Sequence, residues 1–265
     1  MKLILKQRIF NMRYFTLFIA FTIMVSCKEK GKQETKQSFE LKKTEKRSVE
    51  DLIVFENLLM TDDIKTAEYK NINFDQNGAL FSKNIDTYIK IPFSNLDLNR
   101  GFNVSFSFKT IDDDGTKPQS LIGFADKYSS ASRVPFYVYY PGNKISGVYG
   151  KQLFWAENYN AENGYSKEYY DSFQLNKDQF YFVSVNFNGT KVDIYINSEL
   201  YASFEDLSAH EFKFDHILIG ALLSNNELAN PFVGYIHGIK VFNQPLQEGE
   251  ITSIFNSQPE IGEAY

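Results

Sequence analysis

A single cysteine, Cys27, among 265 residues rules out an intrachain disulfide, so the fold has to rest on packing and hydrogen bonding. No apolar run reaches the roughly 20 residues that a bilayer-spanning helix needs. The longest, Tyr14 to Val25, is about a dozen. Helical periodicity is also scarce: only residues 246–255, LQEGEITSIF, place apolar side chains at helical intervals, which predicts one short helix or turn. Basic charge is not in excess. Lys and Arg number 28 against 33 Asp and Glu, and residues 1–50 hold 12 of the basic residues but only 5 of the acidic ones. The remainder is therefore acidic by about 12 charges, and such a surface repels phosphate backbones, which argues against a nucleic-acid partner and suits bound cations better. What the chain does have is aromatic: 25 Phe and 17 Tyr against one Trp, within 43% hydrophobic residues. That is ample for a packed core, and the length suits one large all-β domain.

The short apolar run follows Arg13 and ends in Met24-Val25-Ser26-Cys27. A basic start, a short apolar middle and a small residue before the break mark an export signal. With cysteine directly after it, the run resembles a lipobox, which implies a signal peptide over 1–26 and acylation of the Cys27 thiol. Met12-Arg13 would open a conventional signal of this kind, so the start lies at Met1 or Met12. Residues 28–48, KEKGKQETKQSFELKKTEKRS, are too polar to bury a core and read as a disordered tether, giving a lipidated Cys27 and flexible segment over 27–48. The expectation is an outer-membrane lipoprotein, touching the membrane through its lipid anchor only and facing either the periplasm or the cell surface.

From residue 49 to 265 the pattern becomes short β-branched and aromatic runs punctuated by Gly, Asn, Asp and Pro. In Phe102-Asn103-Val104-Ser105-Phe106-Ser107-Phe108-Lys109 the large apolar residues fall at every second position, which predicts a half-buried strand with its polar residues on the solvent side. Residues 180–187 and 191–196 are two more, and Asn188-Gly189 between them signals a hairpin because both residues tolerate positive φ. Further strands are predicted at 88–91, 120–124, 136–140, 145–149, 217–220 and 235–242. Such spacing predicts an all-β, two-sheet antiparallel jelly-roll sandwich.

Several of these pieces resemble laminin-G-like, concanavalin A-like domains, in the family's order over about residues 74–256. Asn77 to Phe81 leading to Asp86 to Pro92 is similar to the first strands, and Gly101 to Phe108 to the next. VSVNFNGTKVDIYINSELYASF, residues 183–204, is similar to the central hairpin, and Phe232 to Leu246 with Glu250-Ile251 to the closing strand and turn. Many members hold a structural calcium ion. Here the region offers Asp86 alone by position, because His237-Gly238 stands where an acidic pair is common and Ser82-Lys83-Asn84-Ile85 replaces a glycine-rich loop. Asp112-Asp113-Asp114-Gly115 is a second acidic loop, readable as a calcium loop or a solvated turn.

The resemblance also implies a sheet face that can present an aromatic platform. Trp155, Glu157, Asn158, Tyr159 and Tyr165 combine rings that stack on sugar C–H faces with groups that read hydroxyls, and they form the candidate glycan-binding set. Against catalysis, no Glu-x-Asp-x-x-Glu, no Gln-x-His strand and no Gly-x-Ser-x-Gly occurs, and His216 and His237 sit in apolar strands. The leading expectation is a non-catalytic lipoprotein that binds a glycan or protein ligand. A polysaccharide lyase or glycoside hydrolase of the same fold, and a structural accessory subunit of an envelope complex, remain the alternatives.

Overall fold

Alternating large and small residues build two stacked antiparallel sheets, as the computed structural model of the chain shows. It describes residues 47–83, 86–97, 100–111, 119–126, 134–140, 146–150, 152–154, 159–160, 164–165, 175–205, 213–224 and 227–258. The expected signal peptide, Cys27, the tether up to residue 46 and the Asp112–Gly115 loop lie outside the described residues.

The first sheet runs β15 (Glu199–Phe204), β14 (Val192–Ile196), β13 (Tyr181–Phe187), β6 (Phe102–Thr110), β19 (Gly234–Phe242), β4 (Gly78–Phe81) and β3 (Asn73–Asp75). β1 (Ile53–Asn57) also pairs with β19. The second runs β10 (Gln152–Phe154), β9 (Ser146–Gly150), β8 (Val134–Tyr140), β7 (Gln119–Ala125), β16 (His216–Ile219), β5 (Tyr88–Pro92) and β2 (Glu68–Lys70). Two small hairpins, β11 (Tyr159–Asn160) with β12 (Gly164–Tyr165) and β17 (Leu222–Ser224) with β18 (Glu227–Ala229), stand apart. One helix, α1 (Glu248–Asn256), follows β19. This is the predicted two-sheet jelly-roll sandwich, and the strands expected from alternation occur within two residues of their predicted ends.

The core is aromatic because both inward faces carry phenylalanine. Phe102 meets Phe136 edge-on at 4.9 Å, Phe124 packs on Phe136 at 5.3 Å, and Phe108 and Phe81 both contact Phe232. Truncating such a ring costs about 3–5 kcal/mol, so this layer fixes the spacing of the sheets.

Two sequence expectations are corrected. The polar side of β6 is not solvated: Asn103, Ser105 and Ser107 are as buried as the phenylalanines between them. α1 and the residues before it lie over that face, and the buried polar groups satisfy one another across strands. Asn103 Nδ2 donates to Ser184 Oγ at 2.8 Å, and Ser105 Oγ donates to Asn103 Oδ1 at 2.7 Å. The second correction concerns turn chemistry. The β13–β14 hairpin forms, but only Gly189 of the Asn-Gly pair has positive φ (+93°), since the loop spans four residues between the Phe187–Val192 pair. The two-residue turn with both φ positive is Asn197-Ser198 (+50° and +67°), between β14 and β15.

β19 carries a bulge. Its first half, Gly234–Ile236, pairs with β4, and its second, from Ile239, pairs with β1. The register against β6 shifts between His237 and Lys240. Gly238 takes φ +62° there and donates its N–H to the Leu58 carbonyl.

Candidate ligand-binding site

Sheet register fixes which side chains share the outward face of the first sheet, because residues directly opposite one another point the same way. At the Phe102 end of β6 this face carries Asn103, Ser184, Asn186 and Phe242, and α1 closes over it. Leu52, Phe182, Tyr195, Phe242, Leu246, Ile251 and Ile254 pack into one apolar cluster. Asn186 acts as a clamp: Leu246 N–H donates to its Oδ1 at 2.7 Å, and its Nδ2 donates to the Leu246 carbonyl at 2.9 Å. Arg47 secures the helix start by donating to both Glu250 carboxylate oxygens, to Gln244 Oε1 and to the Pro245 carbonyl. The guanidinium holds the Glu250 carboxyl below its usual range.

At the Thr110 end the same face is more exposed. Lys109, Tyr235 and Leu80 are register partners across β6, β19 and β4, and all three are half-buried. The Lys109 ammonium lies 4.8 Å from the Phe180 ring centre and 5.0 Å from that of Tyr235. The two rings are 6.4 Å apart and inclined at 50°. Tyr235 donates its hydroxyl to Asp75 Oδ2 at 3.2 Å, while Asp75 Oδ1 accepts the Asn77 N–H at 2.7 Å. Partial burial, then the Asp75 charge, raises the Tyr235 phenol, so it stays a donor. The result is an apolar strip with a fixed cation in its middle and an oriented carboxylate at its side.

The outward face of the second sheet is different again. Tyr137 and Tyr139 stack at 5.2 Å, and burial pushes the Tyr137 phenol up to about 12. Both rings are nearly enclosed, so they finish a satellite core with Ala125 and Leu222. His216 contacts Asp215 through Nδ1, and its enclosed Nε2 has no partner. Burial lowers the His216 pKa against the opposing pull of Asp215. His237 is enclosed likewise, its Nδ1 unpartnered and its pKa lowered by burial. A cleft of about 480 Å³ lies near the start of α1, lined by Asp97, Arg100, Asn243, Gln244 and Pro245.

Of the residues singled out in the sequence, Trp155, Glu157 and Asn158 lie outside the described residues. Tyr159 and Tyr165 are brought together as register partners of the β11–β12 hairpin. Asp86 is exposed, and its carboxylate meets Lys70 Nζ at 3.3 Å. Among the described residues no group of three or more His, Cys, Asp or Glu side chains is placed to hold a metal ion. Sequence reasoning missed Lys109, Phe180, Tyr235 and Asp75 as a group. They are separated by up to 160 residues, and only cross-strand register unites them.

The sequence model of the family described as the concanavalin A-like lectin/glucanases superfamily matches residues 82–252. Among curated proteins no relative matches. Of the similar solved structures, one is the ligand binding domain of botulinum neurotoxin serotype D in complex with N-acetylneuraminic acid. It has 15% identity and a TM-score of 0.54, covering 79% of this chain and 52% of that one. Another is the sialidase of Trypanosoma rangeli, with 17% identity and a TM-score of 0.53, covering 74% of this chain and 30% of that one. The chain thus spans about half or less of the length of these structures, and the likeness is one of fold.

Proposed function

The chain belongs to the concanavalin A-like lectin/glucanase superfamily, and on that premise we propose that it is a non-catalytic carbohydrate-binding lipoprotein of the cell envelope. The observation that carries this reading is the open half of the first sheet, where Phe180, Tyr235, Lys109 and Asp75 combine ring surface with a fixed donor and a fixed acceptor. Sugars are recognised by that combination, since their C–H faces pack on rings while their hydroxyls need oriented polar groups. The neighbours support it coarsely: one is solved with a sialic acid bound and another is a sialidase. Trp155 and the paired Tyr159 and Tyr165 are a second aromatic group for the same ligand. In this reading Cys27 carries the lipid, and the polar segment up to residue 46 holds the domain clear of the membrane.

The test is a glycan array probed with the mature lipoprotein in mild detergent, together with a mass measurement of its N-terminus. Binding to a defined set of glycans and an acylated Cys27 support the reading. Silence on the array with reproducible capture of one envelope protein would replace it with a protein-binding role. Release of reducing ends or unsaturated products from a polysaccharide would replace it with a hydrolase or lyase.

A further inference from the structure

Lys109 is a lysine whose N–H donors are left unpaired among the described residues. An ammonium carries three N–H donors and no acceptor, and several other lysines of the domain supply theirs with carboxylates. Lys70 ends on Asp86 at 3.3 Å, Lys191 on Asp193 at 3.1 Å and Lys240 on Glu56 at 2.6 Å. Among the described residues Lys109 meets no carboxylate and no carbonyl. It is held instead between two rings. Ring faces attract the charge, by about 0.5–1 kcal/mol each at exposed sites, but they leave the N–H donors unspent. The rings also restrict the long side chain, so much of the entropy cost of fixing a lysine is met before any ligand arrives.

We propose that this strip is a binding site for an acidic glycan, with the carboxylate of a uronic- or sialic-type sugar seated on the Lys109 ammonium. The inference rests on the carbohydrate reading above and names the class of sugar. The rings select a sugar over a bare anion. Phe180, Lys109, Tyr235 and Leu80 lie side by side across four strands, a strip of about 14 Å at the usual strand spacing. Inorganic phosphate or sulfate would use only the cation and leave that apolar surface wet. Asp75 sets the direction. Its two oxygens are already turned toward Tyr235 and Asn77, so a sugar hydroxyl suits that side and a second carboxylate there would be repelled. One acidic sugar at Lys109, with its hydroxyl-bearing part toward Asp75, satisfies every group in the strip.

The experiment is calorimetric titration of the mature lipoprotein, in detergent, with trigalacturonate and with its fully methyl-esterified form. The ester has the same rings and hydroxyls without the charge. The acid should bind at least ten-fold more tightly, and raising the salt should erode that margin. Lys109→Met keeps the aliphatic stem and removes the charge, so it should remove the margin between acid and ester while leaving the melting temperature close to that of the parent protein. Phe180→Leu, a second variant that frees the ammonium without removing it, should reduce the margin in part. Equal binding of acid and ester, or an unchanged margin in Lys109→Met, would overturn the inference. If neutral glycans bind and depend on Trp155 while Lys109→Met is silent, the carbohydrate reading stands and this inference falls. If no glycan of either kind binds, both fall. Lys109-dependent binding of a glutamate peptide as tight as that of trigalacturonate would overturn the assignment to a sugar.

Discussion

The two halves of the first sheet's outward face share the same strands and differ in what their polar positions are asked to do. Toward Phe102 the alternate positions are Asn103, Ser105, Ser184 and Asn186, short side chains that bond one another and the Leu246 backbone beneath a helix. Toward Thr110 they are Lys109, Tyr235 and Asp75: Tyr235 donates to the Asp75 carboxylate, while the Lys109 ammonium lies against two rings with its donors unspent. The first half satisfies its own polar groups and gains stability from the apolar helix laid over them. The second leaves the Lys109 cation without a counter-ion among the described residues. A strand with a polar face can therefore be closed or open depending on whether those polar groups are short enough to pair laterally, and this difference separates the helix-covered half from the half proposed to bind a ligand.

Substitutions should fall into two groups accordingly. Ile251→Ala, on the inward face of α1 over the closed half, empties a fully enclosed site and should cost about 3 kcal/mol, read as a lower denaturant midpoint. Asn186→Ala leaves both backbone groups of Leu246 unpaired in a buried place and should cost about 2 kcal/mol. On the open half, Tyr235→Ala should cost only about 1 kcal/mol but abolish glycan binding. Equal stability losses on the two halves would break the comparison.

The smaller expected effects are electrostatic. His237 and His216 have pKa values lowered by burial, so the folded state takes up protons less readily than the unfolded one at these sites. Their contribution is fully present above the ordinary histidine value of about 6.5 and is lost as the pH falls toward the lowered folded values. Asp215 offsets part of the effect at His216, so His237→Gln should flatten the stability profile more between pH 6.5 and lower values. Glu250, lowered chiefly by Arg47 and also by the Gln247 N–H, adds a second loss once the pH falls below about 4.5, and Arg47→Ala should shrink that step. Smallest of all, Lys109→Met should change stability by less than about 0.5 kcal/mol, because the thioether keeps favourable contact with the two rings in place of the ammonium.

The fold was legible because its driving pattern is local. Phe102 to Phe108 alternates cleanly, and so do Tyr181 to Phe187 and Val192 to Ile196. The turn between the last two was located correctly while its geometry was not, since a two-residue and a four-residue loop can both use Asn-Gly. Short strands such as β2 and β3 escaped notice because three residues cannot show a period. The burial of Asn103 and Ser105 was invisible for a different reason: it depends on a helix more than 140 residues later in the chain. The binding strip was hidden by the same non-locality, since Asp75, Lys109, Phe180 and Tyr235 are ordinary surface residues until pairing order and register place them together. Trp155 and the polar residues beside it were singled out by composition, and they lie outside the described residues.

The division of the first sheet can be tested by hydroxyl-radical footprinting of the full protein in mild detergent with and without trigalacturonate. Phe180 and Tyr235 should become protected from oxidation while Phe255 on α1 keeps its reactivity. Protection of Phe255 with Phe180 and Tyr235 unchanged would contradict the account.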